Sequence, residues 1–207
     1  CIENLLKKTN QYPKFAILSP TIFHNGKYLV EGDYRVLKKK GKKFIKNTKT
    51  KYNISYTNPP HGDLSVDAVT GTAMLIDREK IREINDWDTK IFNYFEDMDL
   101  CLRLRFKGFE IIKIRNAEVD HDPFASHDIS FDKDMDFSRN WHYSWSSYYF
   151  LKKHTNITNS LIHGIKILLA SSIKFLFYSL FNKRKSRTHF AKAYGMLFSI
   201  LNIKSNY

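Results

Sequence analysis

A short run of apolar residues near the start of the chain constrains the fold most strongly. Phe15-Ala16-Ile17-Leu18 contains no polar side chain and ends at Ser19-Pro20. A strand that is apolar on both faces is usually buried on both faces, as in the parallel sheets of α/β proteins. Residues 2–8, just before it, have apolar side chains at helical spacing. A helix followed by a buried strand predicts an α/β fold.

The charge of the chain is divided into three parts. The net charge is +13 over 207 residues, but residues 61–150 carry −7 and each end, 1–60 and 151–207, carries +10. A protein that coats nucleic acid is more naturally basic throughout, so we expect no nucleic-acid partner. The basic ends indicate a phosphate-rich or membrane partner. The acidic centre indicates a metal site or acid–base chemistry.

The first residue and the two cysteines indicate how the chain begins and in which compartment the protein resides. The chain begins with Cys1 rather than Met, and no signal-peptide pattern follows. We therefore expect the natural start to lie upstream. The two cysteines, Cys1 and Cys101, are too few for a zinc cluster or a disulfide scaffold, which favours a reducing compartment.

Acidic residues cluster where a central helix is expected to begin. Residues 92–108 predict a helix with acids at its start, bases at its end and Gly108 as its stop. Glu96, Asp97 and Asp99 fall in its first part. An oriented carboxylate there could act as a general base towards an alcohol. Three acids could instead hold a cation, pair with arginines or simply cap the helix, and the residues alone leave these alternatives open.

The segments on either side of this helix carry further candidates. Residues 66–76 predict a strand that is interrupted at Gly71, and an isolated glycine in a strand often marks the close approach of a backbone or ligand. Asp77 is the expected N-cap of the next helix. After residue 108 we expect a strand over 109–114. Residues 117–127 then bring five titratable side chains close in sequence: Glu118, Asp120, His121, Asp122 and His127.

The last part of the chain predicts three helices, over residues 137–154, 160–181 and 189–203. In the second, the apolar residues of one face are Leu161, Ile162, Ile165, Leu168, Leu169, Ile173, Leu176 and Leu180. Lys166 and Lys174 argue against a spanning helix and for an amphipathic helix in a membrane interface. The tract Lys183-Arg184-Lys185-Ser186-Arg187 follows as an anionic-lipid contact would. The alternative is that these helices pack as ordinary structure.

We therefore expect two parts, a domain over residues 1–155 and a basic, membrane-associated helical tail over 156–207. Residues 38–51 contain eight lysines. This run predicts either a solvated loop or a second contact with anionic lipid or phosphate.

Several motifs resemble, in order, those of family 2 glycosyltransferases, especially the bacterial rhamnosyltransferase-like members. The string Tyr94-Phe95-Glu96-Asp97-Met98-Asp99-Leu100-Cys101-Leu102-Arg103-Leu104 resembles their F-E-D-x-D-L-x-x-R segment. The string Val69-Thr70-Gly71-Thr72-Ala73-Met74-Leu75-Ile76-Asp77-Arg78 resembles their G-x-x-M-L-I-R-R strand. The series continues with Gly108-Phe109, His121 and the segment 139–154. Residues 5–20 resemble the helix and strand that follow the family's metal-binding motif. The resemblance covers roughly residues 1–155. It implies part of a GT-A fold, a mixed sheet with flanking helices.

The resemblance also implies roles for particular residues. Asp97 matches the catalytic base that takes the proton from the acceptor hydroxyl. Glu96 and Asp99 match acids that orient the acceptor or neighbouring helix groups. The remaining matches bind substrate or metal: Gly71 and Thr72 in the loop that lines the pocket, Arg139 on the acceptor side, and His121 as a ligand of Mg²⁺ or Mn²⁺ on the diphosphate.

The activity that the resemblance implies is sugar transfer with inversion at the anomeric carbon. The donor would be a nucleotide-diphosphate sugar and the acceptor a polysaccharide or lipid-linked saccharide, at the cytoplasmic, anionic face of the cell membrane. No Asp-x-Asp precedes Asp97, so we expect the donor-binding half to be missing, the metal site to be incomplete and the chain alone to be inactive. The alternative is a non-catalytic module that binds membranes or polyanions, or a pseudoenzyme remnant, which leaves the acidic centre unexplained.

Overall fold

The structure, a computed structural model, is mixed α/β, as the sequence predicts. It describes residues 1–29, 59, 61–122 and 131–205. The lysine run at 38–51 and the candidate His127 lie outside these residues. The chain divides into two compact units. The first comprises Cys1–Asp88 and Asp97–Phe124, and the second comprises Thr89–Glu96 and Ala125–Tyr207.

The described residues form five strands and six helices. In chain order they are α1 (Ile2–Thr9), β1 (Phe15–His24), β2 (Lys27–Tyr28), β3 (Leu64–Val66), β4 (Leu75–Ile76), α2 (Arg78–Arg82), α3 (Glu96–Phe106), β5 (Glu110–Asp120), α4 (Asp132–His154), α5 (Ile157–Ser179) and α6 (Lys183–Ile200). The three C-terminal helices are confirmed, although each begins earlier than predicted. Asparagine N-caps fix two of these starts, since Asn156 accepts from the Asn159 N–H and Asn182 from the Lys185 N–H.

The sheet of the first unit is built on β1. Strand β5 runs parallel to β1, with Ile17 opposite Ile111 and Leu18 opposite Ile112. Strands β2 and β4 pair antiparallel with β1, and β3 pairs antiparallel with the other edge of β5. The sheet is therefore mixed, in the order β2-β1-β5-β3. Ala16, Ile17 and Leu18 are fully buried, which confirms that the apolar run is a strand covered on both faces.

Two chain reversals are made by residues with positive φ values, and the stop at Gly108 is as predicted. Asn25 and Gly26 join β1 to β2 with φ values of 49° and 72°, as a two-residue hairpin turn of the right twist requires. Gly108 ends α3 with φ 93°. Its N–H donates to Arg105 O, and the Phe109 N–H donates to Leu104 O. This is the hydrogen-bond pattern of a glycine C-terminal stop.

The single strand predicted over residues 66–76 is wrong. The structure has β3 ending at Val66, β4 beginning at Leu75, and a loop between them. Ala68 and Val69 are buried because they pack into the hydrophobic core of the first unit, not because they pair in the sheet. The Ser19 hydroxyl donates to Ala73 O at 3.2 Å and holds the end of the loop against β1. The sequence pattern alone does not distinguish an apolar loop that packs into the core from a strand.

The second unit is a group of three helices, α4, α5 and α6, with the segment 89–96. Its core contains Phe137, Trp141, Trp145 and Ala191, so the tryptophans of α4 are packing residues. Helix α5 is the one described helix that is long and apolar enough to cross a membrane by length and composition. Helix α4 groups with α5 and α6 in this unit, whereas the sequence placed α4 in the 1–155 domain.

The contact between α4 and α6 depends on a glycine, and we expect Gly195→Ala to destabilise the second unit. In an ordinary helix interior this change stabilises by about 1 kcal/mol. A Cβ at Gly195, however, would overlap the Trp141 carbonyl oxygen and lie 3.0 Å from its carbonyl carbon. We expect a loss of about 2–3 kcal/mol, measured by urea unfolding with fluorescence of Trp141 and Trp145. Gly62→Ala, where nothing lies within 4 Å, is the control, and a stabilised Gly195→Ala would contradict this packing.

A carboxylate ties helix α1 to the sheet of the first unit. Asp63 accepts from the Tyr12 hydroxyl at 2.8 Å and from the Arg115 N–H at 2.9 Å, and it pairs with Lys8 at 2.7 Å. Burial favours the neutral acid, but the donors Lys8, Arg115 and Tyr12 prevail and lower the pKa of Asp63 below its usual value. Burial, together with Asp63, raises the pKa of Tyr12 to about 12.

The lowered pKa of Asp63 predicts a pH-dependent stability of the first unit. Because the folded pKa lies below the unfolded value of 3.8, the stabilisation is present above the unfolded pKa and is lost as pH falls through the folded pKa. We expect Asp63→Asn to cost about 1–3 kcal/mol at neutral pH and less at about pH 3, below the unfolded value. Hydrogen exchange of the β5 amides at both pH values measures this. An equal cost at the two pH values would contradict it.

Candidate functional site

Asp97 and Gly71, which the sequence picked from two separate motifs, are joined by a hydrogen bond. The Gly71 N–H donates to Oδ2 of Asp97 at 2.9 Å, and the Met98 N–H donates to Oδ1 at 2.6 Å. Both residues belong to the first unit. Gly71 is exposed and Asp97 is half-buried, so the carboxylate is oriented by the backbone and still reachable from solvent.

The space around Gly71 is open except on the side of Asp97. A Cβ at Gly71 would lie 3.9 Å from Asp97 Cβ and 4.0 Å from Oδ2, which is ordinary contact. The fold therefore does not require glycine at this position; what it uses is the N–H. The predicted site residue Thr72 lies next in the loop, where its hydroxyl accepts from the Thr70 hydroxyl at 3.2 Å.

The backbone immediately before α3 corrects the predicted start of this helix. Residues 92–95 are not helical, because Tyr94 and Phe95 have φ values of 63° and 70°. Such values are rare for bulky side chains. Within the second unit both rings pack on Tyr143 of α4, at centroid distances of 5.6 Å and 5.3 Å. Helix α3 therefore begins at Glu96, and Asp97 lies in its first turn, where N–H groups lack partners within the helix.

Asp99, two residues further on, faces the protein interior. Its side chain is fully buried and pairs with Arg103, with 2.7 Å between Oδ2 and Nε. The other end of Arg103 donates from Nη1 to the carbonyl oxygens of Ile84 and Asp86, both at 2.7 Å. The pair thus fastens α3 to the turn that follows α2. In this position Asp99 orients helix groups, one of the two roles that the resemblance implied.

Glu96 and Arg139 share the surroundings of Tyr94 in the second unit. Burial raises the pKa of Tyr94; the charge of Arg139 opposes this rise and that of Glu96 adds to it. Glu96 and Arg139 therefore act in opposite directions on the pKa of this phenol.

His121 lies at the carboxyl end of β5. Its N–H donates to Phe23 O at 2.8 Å, and its carbonyl oxygen is 3.0 Å from Nδ1 of His24 at the end of β1. Beside them, Asp120 Oδ1 accepts from the Asn25 N–H at 3.3 Å. Within residues 1–29, 59, 61–122 and 131–205, no three His, Cys, Asp or Glu side chains form a metal-binding group. His121 contributes one imidazole at this edge of the sheet.

Sequence reasoning missed two polar residues that the strands bring into position. His24 meets His121 because β1 and β5 are parallel and end at the same edge, a juxtaposition that the prediction of parallel strands could have revealed. Lys113, in the middle of β5, is fully buried. Its Nζ lies 3.1 Å from the Tyr28 hydroxyl and 5.1 Å from the centre of the same ring. The sequence around Lys113 does not indicate that this lysine is buried or that it contacts Tyr28.

The arrangement at Asp97 suits proton transfer from a hydroxyl. N–H donors stabilise a negatively charged carboxylate, and the ionised carboxylate is the form that can accept a proton from a hydroxyl. No protein-family model, curated protein or solved structure matches the chain.

Proposed function

We propose that this chain carries the acceptor side of a GT-A glycosyltransferase of family 2, rhamnosyltransferase-like type. The enzyme would move a sugar from a nucleotide-diphosphate donor to a polysaccharide or lipid-linked saccharide at the cytoplasmic face of the membrane. The hydrogen bond between the Gly71 N–H and Asp97 Oδ2 supports this most directly. It links the two motifs that the resemblance treats as parts of one pocket.

In the proposed reaction Asp97 is the general base. Its carboxylate accepts the proton of the acceptor hydroxyl while that oxygen attacks the anomeric carbon. The bond between the anomeric carbon and the diphosphate oxygen breaks, and the nucleotide diphosphate leaves with the electron pair. The transition state resembles an oxocarbenium ion. A single displacement inverts the anomeric configuration.

We propose further that Glu96, Arg139, Gly71 and Thr72 contact the substrates, and that Asp99 acts by positioning α3. Mg²⁺ or Mn²⁺ would neutralise the leaving diphosphate, with His121 as one ligand and with other ligands from outside the described residues. Imidazole and carboxylate are acceptable donors to Mn²⁺.

The runner-up is a non-catalytic module that binds a membrane or a polyanion. The exposed apolar face of α5 favours it. It assigns no task to the oriented carboxylate of Asp97, and for that reason we place it second.

A transfer assay tests the proposal. The protein in its full natural length is incubated with a panel of nucleotide-diphosphate sugars, saccharide acceptors and Mg²⁺ or Mn²⁺. We expect transfer that a chelator abolishes, and none from the 207-residue chain alone. Lack of transfer with every donor would favour the non-catalytic module, and transfer by the chain alone would contradict a missing donor half.

A further inference from the structure

Helix α5 presents an apolar face that no described part of the second unit covers. Its exposed apolar residues recur every three or four positions, as one face of a helix requires. From the second turn onward they are Ile162, Ile165, Leu169, Ile173, Leu176, Phe177 and Leu180, each between 48% and 82% exposed. We call these residues the α5 stripe. A continuous apolar patch on a protein surface marks contact with a membrane or another protein.

The opposite side of α5 is packed against its own unit. A Cβ at Gly164 would lie 2.8 Å from the Tyr148 ring and 3.2 Å from Ile200 near the end of α6. Near the other end of α5, the Phe175 and Phe190 rings are 5.4 Å apart. Because early α5 meets late α6 and late α5 meets early α6, the two helices run antiparallel and side by side.

This packing argues against α5 crossing a bilayer, although its length and composition would allow it. Helix α6 lies beside α5 and would enter the hydrocarbon with it. It carries Lys185, Arg187 and Lys192, and charged side chains at that depth are costly. An amphipathic helix with one apolar face instead lies in the plane of the interface.

The charged residues of α5 and α6, the helices around the α5 stripe, are all basic. Residues 157–205 contain eight lysines and arginines and no aspartate or glutamate. Four of the basic residues follow the end of the stripe directly, in the first turns of α6. Arg184 and Arg187 pair with Asp136 and Asp134 of α4, while Lys183 and Lys185 are exposed.

We propose that the α5 stripe lies in the interface of an anionic lipid bilayer, with Lys183 and Lys185 at the phosphate headgroups. Apolar burial would supply most of the affinity, and the lysines would add a preference for anionic lipid. The proposal concerns the second unit alone and does not depend on the proposed glycosyl transfer.

A second copy of the chain is a poorer occupant of this surface. A symmetric dimer buries the same patch of both subunits against itself. It would therefore bring two sets of lysines and arginines together with no acid from α5 or α6 between them. An anionic bilayer offers the complementary charge.

Vesicle sedimentation of the full chain tests the apolar part of the proposal. Wild type should bind vesicles that contain phosphatidylglycerol and phosphatidylcholine. Ile173→Glu with Leu176→Glu should lower the partition coefficient by about 100-fold. The matched control is Ile2→Glu with Leu6→Glu, which places the same charges on exposed apolar residues of α1. Equal loss in the two double variants would overturn the assignment to the α5 stripe.

The same assay tests the charged part. Lys183→Ser with Lys185→Ser should weaken binding to the anionic vesicles by about 30-fold and leave binding to pure phosphatidylcholine unchanged. Wild-type binding that is equally tight on both vesicles would overturn the role of the lysines.

Two further measurements distinguish a helix in the membrane interface from a helix that crosses the bilayer and from a dimer. Alkaline carbonate should release the bound chain from vesicles, whereas retention would mean that α5 crosses the bilayer. Sedimentation velocity without lipid should show a monomer. A dimer that dissociates in the Ile173→Glu, Leu176→Glu variant would overturn the proposal in favour of a second copy.

Discussion

Replacing Asp97 with asparagine is expected to lower sugar transfer by about 100- to 10,000-fold, the usual contribution of a general base. The amide cannot accept the proton of the acceptor hydroxyl, although its oxygen can still accept the hydrogen bond from the Gly71 N–H. The amide nitrogen cannot accept from the Met98 N–H, which pairs with Oδ1 of Asp97. One backbone hydrogen bond is therefore lost, and the free energy of unfolding should fall by about 1 kcal/mol. The measurement is the initial rate of transfer by the full-length enzyme, with folding checked by circular dichroism.

Asp132→Asn is the matched control for this variant. Asp132 is an exposed acid in the first turn of α4, so the chemical change and the position in a helix are alike. Its transfer rate should stay within about twofold of wild type, since changes at exposed sites have small effects. Retained transfer in Asp97→Asn would remove Asp97 from the reaction.

Replacing Arg103 with alanine is expected to destabilise the first unit by about 3–5 kcal/mol, the usual cost of removing one partner of a buried ion pair. The Asp99 side chain is fully buried and would lose the guanidinium at 2.7 Å. The carbonyl oxygens of Ile84 and Asp86 would lose their donor at the same time. Hydrogen exchange of α3 and β5 amides measures the loss.

Arg82→Ala controls for the general effect of removing an arginine. Arg82 pairs with Glu79 on the surface of α2, where both side chains are more than half exposed, so its removal should cost less than about 0.5 kcal/mol. Arg103→Lys should recover part of the stability, because lysine restores the charge but not the fork that spans Asp99 and two carbonyls. A normal stability of Arg103→Ala would contradict the buried pair.

The Asp97→Asn and Arg103→Ala variants test separately the roles of Asp97 and Asp99, two acids that lie two residues apart in one motif. Asp97 is half-buried and accepts from two backbone N–H groups, and its replacement should affect transfer far more than folding. Asp99 faces Arg103, and disturbing that pair should affect folding first. The sequence motif alone marks both acids as site residues. The direction of each side chain in the structure distinguishes the proposed base, Asp97, from Asp99, which positions α3.

Local signals in the sequence were sufficient for much of the fold. The apolar run around Ile17, the turn at Asn25-Gly26 and the stop at Gly108 each follow from the chemistry of a few neighbouring residues. Cys101 is fully buried, and burial raises the pKa of its thiol to about 12.

Other features depend on contacts between distant segments and could not be predicted from local pattern. The loop between β3 and β4 looks like a strand because Val69 belongs to a core completed by residues far along the chain. The non-helical Tyr94 and Phe95 have side chains that pack on Tyr143 of α4. At the candidate site, the motif letters selected Asp97 and Gly71, but their mutual hydrogen bond could be known only from the fold.

The configuration of the transferred sugar tests the central proposal most directly. One carboxylate that activates the acceptor hydroxyl gives a single displacement and therefore inversion. Proton nuclear magnetic resonance of the first product, formed from an α-linked nucleotide sugar by the full-length enzyme, reports the configuration through the anomeric coupling. We predict a β-linked product. An α-linked product would contradict the role of Asp97 as the base of an inverting glycosyltransferase.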